Sequence, residues 1–472
     1  MLAFRSRSMD RRTVLKLGAG VGALAGAGLY GGYRLLPPGR SMTLEPVDVL
    51  ARRLFASLDD EQRAGACVDY EHPLRQYHNR GVWGGGLGIF RGFERPQRAL
   101  LTDLLYAGLS EAGRARIPEE YFTRWPGVHS MRVLFCGDPS AQPYQVILTG
   151  AHVNLRIGGK SREGAAFGGP QVYGDQRGNE EVGLPGNLYR SQFLLAQRLL
   201  RGFDAGRRAE ASLGEAPVQT AIGLQGRGGS FAGTPVATLA SAEKRVVRAL
   251  VDDILSTYPA PDVTYAWECL AANGGIDALF FASYAHGEDG PIPEAQVFRL
   301  EGPAAVFHFR GHPHVHAFVN LAMDGDAPLS VGELLGDNPT ELAGEGVKVL
   351  FETVLREELG AELAYFDLGS VAGRLRRGPI RAGDIYALEV WQASVAVVEV
   401  RGSDLSPVLR AQLAERQTEL VPERRYTVAT TEYVADELAG KLGRIESLRS
   451  GPLLRDVAVA HLRAHGFPGE RS

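Results

Sequence analysis

Cysteine is scarce in this chain. Only Cys67, Cys136 and Cys269 occur in 472 residues, widely spaced and without a Cys-x-x-Cys pair. That excludes a full disulfide framework and a thiolate metal cage, and leaves buried free thiols or one oxidisable pair. Charge of one sign is lacking too: 51 Lys and Arg stand against 55 Asp and Glu, a net charge of −4, evenly scattered. Nucleic acid needs a basic stripe, so no nucleic-acid partner is expected. After the first 36 residues no second membrane-length apolar run appears. No serine sits in a Gly-x-Ser-x-Gly elbow, which argues against a triad of Ser283, Asp277 and His286. The glycine-rich run Trp83 to Ile89 lacks a Gly-Lys-Ser/Thr ending, which argues against a phosphate-binding loop.

What is present begins at Arg11-Arg12, ahead of the weakly apolar, Gly- and Ala-rich stretch Leu17 to Ala25. A charged region followed by an apolar one predicts a twin-arginine signal or signal-anchor over residues 1–41, with the twin-arginine translocase as partner and a periplasmic or other extracytoplasmic destination. Ala23-Leu24-Ala25 fits a small-residue cleavage site but falls early. An uncleaved anchor stays open, because Leu15 to Leu36 is long enough to cross a bilayer at about 1.5 Å per residue. Pro37-Pro38-Gly39 cannot continue a helix and reads as a linker.

Some 430 residues remain, enough for two or three domains at roughly 150 residues each. Helical spacing of apolar residues predicts helices over Val47 to Leu74 and Pro96 to Arg116. Strands are predicted at Arg132 to Cys136, Tyr144 to Leu148 and His152 to Ile157, then helices at Leu188 to Gly202 and Ala240 to Tyr258. A second strand block runs Asp277 to Tyr284, Gln296 to Glu301, Ala304 to Phe309 and Val315 to Met323. The expected class is α+β, with a mixed first domain over 42–325. Past the turn at Asp324 to Pro328, a smaller α/β domain is expected over 328–468. It carries helices at Gly346 to Leu359, Pro407 to Glu415 and Pro452 to His465, and strands at Ala361 to Asp367, Ser394 to Val400 and Tyr426 to Thr431.

Histidine is concentrated rather than abundant. Of 11 in the chain, His308, His312, His314 and His316 fall within nine positions. On a strand, His314 and His316 project from one face with Cα atoms about 6.5–7 Å apart, close enough to converge on one ion at about 2 Å. His152 is the leading third ligand, and Asn154 shares its face. Three imidazoles without a thiolate suit one transition metal, Cu, Zn or Fe, with positions left for water or a small-molecule ligand. A hydrogen-bonded histidine cluster without metal is the alternative. Glu301 and Arg299 share a face and can pair or serve as outer partners of the imidazoles.

The segment Ile147 to Leu155, the strand Phe298-Arg299-Leu300-Glu301-Gly302-Pro303 and the pair His314-Val315-His316 resemble the bacterial domain-of-unknown-function family numbered 3500, over roughly residues 50–325. The resemblance implies one site made of His152, Asn154, His314 and His316. Ala151 stands where that family usually has a further histidine, and the family supplies no established activity.

Beyond residue 328, Val347 to Ala364, Gly369 to Ile380, Val395 to Leu405, Tyr426 to Thr430 and Leu453 to His461 resemble the C-terminal, substrate-binding domain of secreted 5'-nucleotidases. That resemblance implies a nucleotide-related hydrolase or nucleotide-binding envelope protein, with Trp391 as a stacking surface for a base or as a core residue. The family arginine falls on Ala372, however, and the Asn of its Pro-Phe-x-Asn corner on Ala393. The Asp-x-His and Gly-Asn-His segments of its two-metal domain are missing.

Overall fold

The computed structural model describes residues 45–76, 85–116, 131–141, 143–150, 152–158, 164–175, 182–287 and 290–467. The signal-like segment and linker, Trp83-Gly84 and Ala151 lie outside the described residues. The described residues belong to the compact unit Leu44–Ser472. Its elements are mixed helices and strands, an α+β arrangement.

The first part is organised by one sheet. Its strands are β1 (Cys67–Val68), β2 (Leu87–Gly88), β3 (Arg132–Cys136), β4 (Gln145–Gly150), β5 (Val153–Ile157), β6 (Gln171–Asp175), β7 (Ser212–Glu215), β8 (Thr234–Pro235), β9 (Phe280–Gly287), β10 (Gly290–Pro291), β11 (Val297–Gly302), β12 (Ala305–Arg310) and β13 (Val315–Leu321). The order is β1-β3-β4-β5-β6-β13-β12-β11-β9-β10, with β2 on β3 and with β7 and β8 on β9. The two strand blocks of the sequence are therefore one sheet, joined through β6.

Period-two alternation gives this sheet two unlike faces. Phe298, Leu300, Phe307, Phe309, Val315, Ala317, Val319 and Leu321 fall on one face and enter the main hydrophobic core. Helices α1 (Val47–Ala56), α2 (Arg95–Ala107), α3 (Arg190–Gly202), α4 (Ser241–Leu255) and α5 (Ala260–Ala272) supply the other half of that core through residues such as Leu54, Leu104, Leu199, Leu250 and Leu270. Each large apolar side chain so buried stabilises the fold by about 1.5–3 kcal/mol.

The opposite face is buried as well and mixes polar side chains such as Arg156, Arg299, His308 and His316 with smaller apolar clusters. Cross-strand register aligns Arg299, His308 and Phe318 with Val172 in one row, and Arg310, His316 and Gly174 in the next. Buried polar groups must find partners. Arg156, for example, donates to Pro170 O, Arg75 O and Gln145 Oε1, and burial still pulls its pKa down to about 10. Ile222 and Leu224 cover part of this face by packing on Val172, Val306 and Phe318.

Among the described residues, each hydrophobic cluster draws either on residues up to 329 or on residues from 335 onward. In the later part, α6 (Glu345–Leu359) and α7 (Leu454–His465) share a core, and a four-stranded sheet includes Ser394–Leu405, Arg425–Thr431 and Gly443–Leu453. A polar bond links the two parts: Arg376 donates to Gly325 O at 2.7 Å.

Several element limits differ from expectation. The helix expected over Val47 to Leu74 stops at Ala56, because Asp59 and Gln62 form a capping box that starts a separate helix, Asp60–Ala66. The helix expected over Pro96 to Arg116 breaks likewise: Ser110 Oγ accepts the N–H of Gly113 and opens a new turn. The strand expected over Ala361 to Asp367 shrinks to Leu363–Ala364, and α5, β6 and the strand Gly443–Leu453 were not foreseen.

Candidate metal centre

His316 lies on β13 and is fully buried; His314 stands just before that strand and is partly exposed. Two residues apart, they bring their rings to 4.5 Å between centroids, nearly perpendicular at 85°.

His152 arrives from the other half of the sheet. Gly150 pairs with Val153, which places His152 in the short connection between β4 and β5. His152 takes φ 68°, the left-handed region such connections require and which histidine enters more readily than most residues. Its ring lies 4.8 Å from that of His316 and 4.9 Å from that of His314, and its Nε2 is 3.0 Å from His314 Nε2.

The strand between them explains how they meet. β6 pairs with β5 on one side and with β13 on the other, and Gly174 sits opposite His316. A β-carbon at Gly174 would lie 2.2 Å from Val315 O and 3.2 Å from His152 Cβ. Strands two apart in a sheet are about 9–10 Å apart. Glycine in the intervening strand lets the imidazoles close that gap.

Gln219, buried within the segment that crosses the polar face, places its Oε1 2.9 Å from His316 Nδ1. An amide oxygen only accepts, so Nδ1 carries the hydrogen and Nε2 keeps its lone pair for a ligand. Such outer partners commonly fix the tautomer of a metal-binding histidine.

One ligand atom from each of His152, His314 and His316 can be chosen so that all lie within 4.8 Å of one another. Ligands at about 2 Å in a tetrahedral site stand roughly 3.3 Å apart, so a small contraction suffices. The donor set is three nitrogens, which suits a transition metal with positions left open. The partly exposed His314 marks the side on which the cluster meets solvent.

The other expected residues are placed as follows. Asn154 is buried on the same sheet and donates to Thr149 Oγ1 at 3.5 Å. Arg299 and Glu301 pair with each other at 3.4 Å in a network of their own, in which Gln225 donates to Glu301 and Arg299 donates to His308 Nδ1 and Ala221 O. Burial, with Arg299 and Arg310 nearby, holds the pKa of His308 well below the ordinary histidine value. His308 and His312 line a small cavity of about 60 Å³ together with Gln219 and Arg310. Trp391 packs with Ala372 and Val390, and its backbone N–H donates to Glu389 Oε1. Gln219 and Gly174 carried no sequence signal, one lying in an irregular segment and the other in the unforeseen β6. The thiols are free, and burial raises Cys67 to about 11 and Cys136 and Cys269 to about 12, which keeps them protonated.

Comparison with known proteins gives one family. The family described as protein of unknown function (DUF3500) matches residues 40–326. No curated protein matches the chain. Among solved structures, a 5'-nucleotidase precursor from Thermus thermophilus aligns at 12% identity and a TM-score of 0.25, covering 38% of this chain and 50% of that one. A Staphylococcus aureus protein described as a 5'-nucleotidase, solved with alpha-ketoglutarate, aligns at 10% identity and a TM-score of 0.20, covering 36% and 48%. The chain thus spans about half the length of these structures.

Proposed function

The chain belongs to the DUF3500 family, and for this member we propose an exported metalloprotein that binds one transition metal ion, Cu, Zn or Fe, through His152, His314 and His316. The observation that carries the proposal is the convergence of three imidazoles from two distant segments, held around a glycine that leaves them room. A bound ion would supply redox chemistry or metal-assisted hydrolysis of a small-molecule ligand entering beside His314. The residues of this chain would hold and orient it: His152 from its left-handed hairpin position, His316 with its tautomer fixed by Gln219, and His314 at the mouth.

Export through the twin-arginine translocase belongs to the same proposal, because that route carries folded proteins and Arg11-Arg12 precede an apolar stretch. Among the described residues no helix is long and apolar enough to cross a membrane. We also propose that 42–325 and 328–468 are separate domains, the first holding the metal. Metal analysis of protein recovered from the extracytoplasmic fraction tests this reading: about one equivalent bound through the three histidines supports it, and metal-free protein that takes up none on titration overturns it.

A further inference from the structure

A second group of metal-ligating side chains lies outside the three-histidine cluster, where the C-terminal ends of α6 and α7 meet. His461 and His465, four residues apart on α7, occupy one helix face. Their rings are 4.7 Å apart between centroids. Glu358, in the last turn of α6, places Oε1 2.7 Å from His461 Nδ1 and 3.9 Å from His465 Nε2. One ligand atom from each of the three lies within 4.8 Å of the others. Glu357 adds a second carboxylate, 3.7 Å from His461 Nε2.

We propose that this cluster is a second cation site, which takes a divalent d-block ion through His461, His465 and Glu358. Three features favour it. The His-x-x-x-His spacing on a helix presents two imidazoles to one ion, and the mixed nitrogen and oxygen donor set suits Zn²⁺, Ni²⁺ or Cu²⁺. His461 is buried while His465 and Glu358 are exposed, so one ligand is held rigidly and two face incoming ions. The C-terminal ends of two helices also converge there, and their unpaired carbonyls favour positive charge. The site is open to solvent, so it would report on free metal rather than enclose a catalytic ion.

The test is Zn²⁺ titration of the metal-stripped full chain, followed by calorimetry, with His465→Ala and Glu358→Gln as variants because both positions are exposed and neither should disturb folding. His314→Ala separates this site from the first. Loss of one Zn²⁺ equivalent, or a more than roughly tenfold weaker affinity, in His465→Ala and Glu358→Gln, with that same equivalent retained in His314→Ala whatever the three-histidine cluster itself loses, is the expected result. It is expected whether or not the three-histidine cluster binds. Unchanged stoichiometry and affinity in both variants would overturn the second site while leaving the first untouched.

Discussion

Gly174 lies across from His316 in the sheet, and a β-carbon on it would stand 3.2 Å from that of His152 and 2.2 Å from a backbone oxygen. This one glycine lets histidines more than 160 residues apart in sequence share a site. Gly174→Ala should force β6 away from β13, lowering stability by about 1–3 kcal/mol as overpacked positions do. It should also spread the imidazoles, so that metal affinity falls while the histidines remain. Denaturant unfolding and metal titration of the variant measure both; full metal affinity in Gly174→Ala would show that the glycine does not set the site.

Gln219 places its Oε1 against Nδ1 of His316 and is not one of the three proposed ligands. Gln219→Leu should weaken metal binding by about 10–100-fold, the usual loss when an outer partner of a ligand is removed. Gln219→Glu, which keeps an acceptor 2.9 Å from Nδ1, should recover most of it. Equal affinity in Gln219→Leu and wild type would remove Gln219 from the account.

His308 gives the pH dependence its sign. Its pKa in the fold is held well below the ordinary value of about 6.5 by burial, then by Arg299 and Arg310, so the unfolded chain takes a proton here before the folded one does. Stability linked to this residue is complete above pH ~6.5 and is lost as pH falls below it, by at most about 1.4 kcal/mol per pH unit. Urea unfolding of wild type and His308→Asn at pH 7.5, 6.5 and 5.5 should show a steeper acid loss in wild type. Parallel curves would contradict the assignment.

Much of this was legible in the sequence because polar and apolar residues alternate over part of the strands near the site, although Val306 and Phe318 interrupt the polar series. His308 between Phe307 and Phe309, and His316 between Val315 and Ala317, announce a sheet with one apolar face and one that carries polar side chains. The limits of the helix Pro407–Glu415 and of the strand Arg132–Cys136 were legible too, the latter from its continuous apolar run. What escaped has physical reasons. β6, Gln-Val-Tyr-Gly-Asp, is short and contains a glycine, which weakens a strand signal although it is what the site needs. Gln219 acts from an irregular segment, where no periodicity marks a side chain that reaches a histidine 97 positions away. The broken first helix was readable in principle, since Asp59-x-x-Gln62 is a capping box inside an otherwise helical pattern. Gly443–Leu453 is largely exposed and lacks the apolar alternation that identifies a strand.

The proposed export rests on the paired arginines. Replacing Arg11 and Arg12 together by lysine should leave the folded protein in the cytoplasm, measured by cell fractionation and immunoblotting. Normal recovery outside the cytoplasm would assign the segment to another secretion route.

The most direct test of the proposed metal centre is the metal content of the purified full chain, compared between wild type and His314→Ala. His314 is partly exposed, so its loss should cost the fold little. The account predicts that His314→Ala loses one equivalent of a transition metal relative to wild type while keeping its circular dichroism and melting transition. Equal metal content in the two proteins would contradict it and leave His152, His314 and His316 as a hydrogen-bonded cluster.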